Sequence, residues 1–236
     1  MRPLQSCKSM KCLFYMRRKD GGYDMLDRIE VFTHSSIRIK GNSFTVYADP
    51  FEIKNESHDA DYVLITHQHY DHFSPDDIRK VIKDTTILVA PESMLDDARK
   101  LEGEVKEIVG VKPGVYREIK GLELETVPAY NALKPFHPKH ADWVGYIVMI
   151  DGKRIYIAGD TDETKEAKEV RCDIAMIPIG GTYTMDAKKA ADLIDTIRPE
   201  YVIPTHYGSV VGKPSDAQTF ASLLKSPVKV VEKIKF

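Results

Sequence analysis

The sequence predicts an α/β (α+β) fold, a four-layer αββα sandwich in which two mixed sheets pack face to face with helices on the outside. Three observations predict it. Short β-rich segments follow one another from residue 29, the second half repeats the strand and helix rhythm of the first, and apolar runs end in loops rich in Gly, Pro or polar residues. A chain of 236 residues, 42% of them hydrophobic, can bury a substantial core.

The elements follow in order. IEVFT (29–33), SIRIK (36–40), FTVYA (44–48) and DYVLIT (61–66) alternate or are wholly apolar, as strands of hairpins and meanders do. Ser74-Pro75 supplies a cap and a first-turn proline for a helix over 75–83. Strand TILVA (86–90), helix ESMLDDARKL (92–101) and strands around 106–110, 115–119 and 122–127 complete the first half. The second half opens on a hairpin over 143–160 that turns at Asp151-Gly152, a type I′ signal. CDIAMIPIG (172–180) and YVIPTH (201–206) read as buried strands, 185–198 and 215–224 have helical periodicity, and VKVVEKI (228–234) reads as a last strand.

Charge and cysteine usage bound the function. With 34 basic and 36 acidic side chains the net charge is -2, which gives no long-range attraction to nucleic acid or an anionic membrane. Cys7, Cys12 and Cys172 form no C-x-x-C pair, so a reducing cytoplasm is the expected compartment. No apolar stretch reaches 18 residues. The first 19 residues carry six basic and no acidic side chains, and CLFY is too short for a secretory signal. Residues 1–27 are therefore read as a basic, loosely held extension, with Met25 near the start of the compact part, and residues 28–236 as one domain.

Chemistry concentrates in HQHYDH, residues 67–72. His67 and His69 stand just beyond a strand, two residues apart, so extended backbone sends both imidazoles toward one point. Asp71 and His72 follow on a turn and face a second point. Imidazole with carboxylate suits zinc, and also manganese or iron. Asp160, after a short apolar run and Gly159, and His206, in VIPTHYGS, occupy similar strand ends. Two nearby cations repel, which calls for an anionic bridge, and Asp160 can provide it.

H-x-H-x-D-H at 67–72, AGDTD at 158–162 and PTHYG at 204–208 resemble the metallo-β-lactamase fold superfamily over residues 29–236. THSSIRI (33–39), YADPF (47–51), PAYN (128–131), FHPK (136–139) and GGTYTMD (180–186) are similar to its small zinc-dependent hydrolase branch. That branch includes ascorbate-phosphate lactonase-like proteins and the phospholipase D acting on N-acyl phosphatidylethanolamine. The resemblance implies that His67 and His69 bind a first ion, that Asp71, His72 and His206 bind a second, and that Asp160 lies between them. It also implies a third histidine on the first ion, where many relatives place it at the position of Asn131. His137 and His140 follow six and nine residues later. His137 is favoured, because it follows an aromatic residue and precedes Pro138 in a stiff segment; His140, or a first site left incomplete, stays open. Asp49 resembles a buried aspartate that orients the metal-bound histidines. His34 and Tyr183 are read as contacts to substrate or developing charge, with core packing as their alternative, and Asn131 as a further substrate contact. His58 is read as a surface residue.

The expected reaction is hydrolysis. Two metal ions sharing a hydroxide, oriented by Asp71, would cleave a small ester-type substrate such as a phosphodiester or a phosphate-bearing lactone. The rivals are an RNA or DNA nuclease on the same dinuclear site, and a binding or redox protein with a degenerate or iron-loaded site. The expected partner is a small molecule, with no strong nucleic-acid or membrane signal and homo-oligomerisation left open.

Overall fold

The computed structural model describes residues 25–132 and 134–236. The first sheet holds β1 (Ile29–Thr33), β2 (Ser36–Lys40), β3 (Thr45–Ala48), β4 (Tyr62–Leu64), β5 (Ile87–Pro91) and β6 (Glu107–Val111), in that order. Strands β1 to β3 form an antiparallel meander, and β3 to β6 run parallel. The second sheet repeats the plan with β7 (Tyr116–Ile119), β8 (Leu122–Pro128), β9 (Val144–Ile150), β10 (Lys153–Ile157), β11 (Ile174–Pro178), β12 (Tyr201–Thr205) and β13 (Lys229–Val230). Here β7 to β10 are antiparallel and β10 to β13 parallel.

Strand alternation builds two cores. Tyr62 and Leu64 of β4 and Ile87 and Val89 of β5 join the main core with the second sheet. Val63, Leu88 and Ala90 face the other way, onto Ile78, Met94, Ala98 and Leu101 of the segment carrying α1 (Pro75–Arg79) and α2 (Leu95–Ala98). Beside the second sheet, α4 (Ala187–Ile197) and α5 (Asp216–Leu223) bury Ala190, Leu193, Ile194, Ala217 and Phe220 in the main core. The short α3 (Lys165–Lys168), which the sequence did not suggest, is capped by Thr164 accepting from the Ala167 N–H.

Several boundaries differ from expectation. The helix expected over 75–83 ends at Arg79, and Val81 and Ile82 then turn under the sheet. That expected over 92–101 divides into a 3₁₀ turn, α2 and a second 3₁₀ turn, none with a side-chain cap. Only two residues of the last strand pair. Met25–Arg28 form a 3₁₀ turn whose Met25 is buried in the main core. The rest of the expected extension, residues 1–24 with Cys7 and Cys12, lies outside the described residues. Among the described residues no helix is long and apolar enough to cross a membrane.

In both sheets the strands β1, β3, β4, β8, β10 and β12 run so that their C-terminal ends open on one side. Open α/β sheets place ligands outside such ends. Every residue assigned chemistry in the sequence follows one of these strands or β11, apart from surface His58.

Candidate metal centre

The loop after β4 carries His67 to His72, and its neighbours fix which ring nitrogen faces inward. Thr66 donates from Oγ1 to Asp49 Oδ2 at 2.6 Å and from its backbone N–H to Asp49 Oδ1 at 2.8 Å. With its only proton so used, the Thr66 hydroxyl can only accept from His67 Nδ1, 3.0 Å away. His72 Nδ1 lies 2.7 Å from Asp49 Oδ2 and donates to it. His137 Nδ1, at 2.9 Å, donates to Asn131 Oδ1, while Asn131 Nδ2 donates to the Tyr183 carbonyl at 2.9 Å. All three imidazoles thus carry a proton on Nδ1 and turn Nε2 inward.

Three ring nitrogens converge on Asp160. His72 Nε2 lies 3.2 Å from Asp160 Oδ1, and His137 Nε2 and His206 Nε2 lie 3.3 and 3.0 Å from Asp160 Oδ2. None of these approaches has hydrogen-bond geometry, and the three nitrogens and Asp160 Oδ1 are buried without a hydrogen-bond partner. His67 Nε2, by contrast, accepts a hydrogen bond from His69 Nδ1 at 3.0 Å. Ligand atoms fall into sets lying within 4.8 Å of one another: His67, His69 and His137; His67, His72 and Asp160; and His34, Asp71, His72 and His206. The structure therefore brings together all seven residues proposed as ligands, and it places His137 inward while His140 is exposed.

Electrostatics favour a cation there. Burial, reinforced by His72 and His137, holds the His67 imidazole well below its ordinary range, the neutral form a ligand needs. Burial alone would raise Asp160, yet His206 and His72 hold it well below the carboxylate range. At His72 burial disfavours charge, but Asp160 and Asp49 outweigh it and pull the imidazole up. Buried, inward-facing imidazole nitrogens around an ionised carboxylate make a donor set that fits divalent metal.

Backbone strain accompanies the site. His34, Asp49 and His206 have φ of 52°, 45° and 55°, left-handed values that cost a non-glycine residue energy. The His206 N–H donates to the His34 carbonyl at 2.9 Å, so two strained residues brace each other. Gly180 is required by close approach, since a Cβ there would stand 2.2 Å from the His206 carbonyl oxygen.

Some roles differ from the sequence reading. His34 is fully buried, donates from Nε2 to Asp71 Oδ2 at 3.0 Å, and lays its ring 3.6 Å from that of His206. These contacts fit the core-packing alternative for His34, with Asp71 and His206 as its neighbours. Burial opposes ionisation of Asp71, but this hydrogen bond holds its carboxyl down at about 2. Asn131 is 6% exposed and both ends of its amide are engaged, which makes it the orienting partner of His137. Tyr183 is half-buried, its ring edge-on to Phe136 at 4.7 Å. His58, on the surface, bonds to the Ile82 carbonyl.

Three contributors were missed. Thr66 couples Asp49 to His67 and was hidden at the end of an apolar run. Trp143 packs 4.9, 4.9 and 5.5 Å from the rings of His67, His69 and His137. Lys134 bonds the Gly181 and Thr184 carbonyls and pairs with Asp162, which also accepts from the Ala132 N–H, tying the loops after β8, β10 and β11 together. Only the single Trp in the chain carried a usable signal.

Two mixed sheets with a histidine and aspartate cluster at one set of strand ends define the metallo-β-lactamase fold. A sequence model described as the beta-lactamase superfamily domain matches residues 28–206, and the chain belongs to that family. A UPF0173 metal-dependent hydrolase of Pyrococcus abyssi is 30% identical over 219 residues, covering 86% of this chain and 95% of its own length. One from Thermoplasma acidophilum is 32% identical over 190 residues, 75% of this chain and 82% of its own. The solved structure of a metallo hydrolase from Ignicoccus hospitalis superposes with a TM-score of 0.68 at 26% identity, covering 88% of this chain and 95% of that one.

Proposed function

We propose that this chain is a metal-dependent hydrolase that uses two divalent ions, zinc foremost and manganese or iron as substitutes, to cleave an ester-type bond in a small molecule. The observation that carries the reading is the convergence of three buried, unpartnered Nε2 atoms on Asp160. His67, His69 and His137 would hold one ion, and Asp71, His72 and His206 the other, with Asp160 shared between them. When bound, such ions supply a water acidic enough to attack at neutral pH and a Lewis acid for the carbonyl or phosphoryl oxygen. Asp71, ionised at neutral pH and fixed by His34, accepts a hydrogen bond from the attacking water and orients it. Tyr183, whose carbonyl is held by Asn131, would donate from its hydroxyl to the developing oxyanion. Asn131 and Asp49 keep His137 and His72 aimed.

The test is metal content and turnover, measured on an ester, lactone and phosphodiester panel. His67→Ala and Asp160→Ala should each lose metal and all hydrolysis. A metal-loaded wild type that turns over no member of the panel contradicts the proposal.

A further inference from the structure

Most of the site is closed to solvent, and the way in is marked by His69. His67, His72, His137, Asp160 and His206 are at most 3% exposed, whereas His69 is half-buried. Its neighbour Tyr70 is 66% exposed, Phe136 beside His137 is 42% exposed, and Val210, four residues after His206, is 39% exposed. Among the described residues, three of the seven exposed large apolar side chains therefore lie within four residues of proposed ligands in the sequence. They are not isolated. Tyr70 meets the Phe51 ring edge-on at 5.9 Å, and Phe51 in turn lies 6.5 Å from His34. Phe136 meets Tyr183 at 4.7 Å, and the Tyr183 carbonyl is held by Asn131. One aromatic pair thus borders the site from the first half of the chain and a second from the other half.

Beyond the proposed metal ions, the side chains nearby offer little that is specific for a phosphate group. No arginine occurs in the site-bearing segments 34–35, 49–60, 65–74, 129–143, 158–164, 179–186 and 206–215. Arginine is the side chain that recognises phosphate bidentately. Of the lysines in the loop that presents His137, Lys134 is engaged by Asp162 and two carbonyls, and Lys139 by Glu166. Lys54 and Lys213 follow Asp49 and His206 by five and seven residues.

From these observations we infer that the substrate is an uncharged carboxylic ester or lactone bearing an aryl group, held between the Phe51–Tyr70 and Phe136–Tyr183 pairs. The inference rests on the hydrolase reading above and narrows it away from phosphate-bearing substrates. Water adds its oxygen to the acyl carbon and the acyl C–O bond breaks. The alcohol leaves with one proton, and the acid loses another to solvent at neutral pH.

The test compares zinc-loaded protein on ethyl phenylacetate, ethyl acetate, diphenyl phosphate and phenyl phosphate, by pH-stat and phenol or phosphate release. We expect kcat/KM for ethyl phenylacetate to exceed that for ethyl acetate by about tenfold or more, from burial of one ring, and to exceed both phosphates. Tyr70→Ala and Phe136→Ala should each cut the phenylacetate-to-acetate ratio severalfold while zinc content and thermal midpoint stay at the wild-type values. A faster phosphate substrate, or a ratio near one that neither variant moves, overturns the aryl-ester inference and leaves the hydrolase reading standing. No turnover of any of the four, with zinc bound, overturns both.

Discussion

Replacing Asn131 by alanine probes how this chain aims a histidine into the proposed first metal site. The amide accepts from His137 Nδ1 at 2.9 Å and donates to the Tyr183 carbonyl at 2.9 Å, in a setting where Asn131 and His137 are 6% and 1% exposed. Alanine leaves a buried N–H and a carbonyl without their partners and frees the imidazole to rotate or change tautomer. Partners of this kind, one bond removed from the metal, are worth 10- to 100-fold in metal affinity, or about 1.4–2.7 kcal/mol. The assay is competition for zinc against a chromophoric chelator, reading the weaker and tighter sites separately. Asn131→Ala should weaken one site by that factor and spare the other. Asn131→Asp, which keeps an acceptor and adds charge, should restore affinity toward or above wild type. Equal zinc binding by wild type and Asn131→Ala would refute the reasoning that His137 is a ligand oriented through this amide.

Three other outcomes follow from the same structure. Thr66→Val removes the hydroxyl that links Asp49 to His67 and should lower stability by about 2 kcal/mol in urea unfolding, with Thr66→Ser near wild type; equal midpoints would contradict the coupling. Stripping metal with a chelator should lower the thermal midpoint, because an ion present at 100 times its Kd stabilises by about 2.7 kcal/mol, and an unchanged midpoint would mean that the cluster holds none. Burial, with Asp173 beside it, pushes the Cys172 thiol up from 9.0 to about 12. The unfolded chain therefore loses this proton first as pH rises, so the contribution is full below pH 9 and declines toward about 12; Cys172→Ala should remove that part of the alkaline decline, and the native thiol should resist iodoacetamide at pH 8.

The sequence made some layers of this plan legible and hid others for physical reasons. HQHYDH was readable because its proposed ligands are neighbours in the chain, so local backbone geometry alone sends His67 and His69 together. The two-sheet plan was readable because strand period and turn chemistry are local as well, as Asp151-Gly152 shows with φ of 50° and 75°. Asn131 was legible only as a departure from a pattern. Its work depends on His137 folding back so that the Asn131 N–H meets the His137 carbonyl at 2.7 Å, a closure that no spacing rule reveals. His34 could not be separated from a cleft-facing residue, because its burial is set by His206, 172 positions later. The region 92–101 has helical periodicity but lacks caps, and periodicity alone does not show where hydrogen bonding breaks.

Anomalous diffraction from zinc-grown crystals tests the central claim most directly. The account predicts two peaks per chain, one among His67, His69 and His137 and one among Asp71, His72 and His206, with Asp160 touching both. A single peak, or one held by His140 in place of His137, would contradict it.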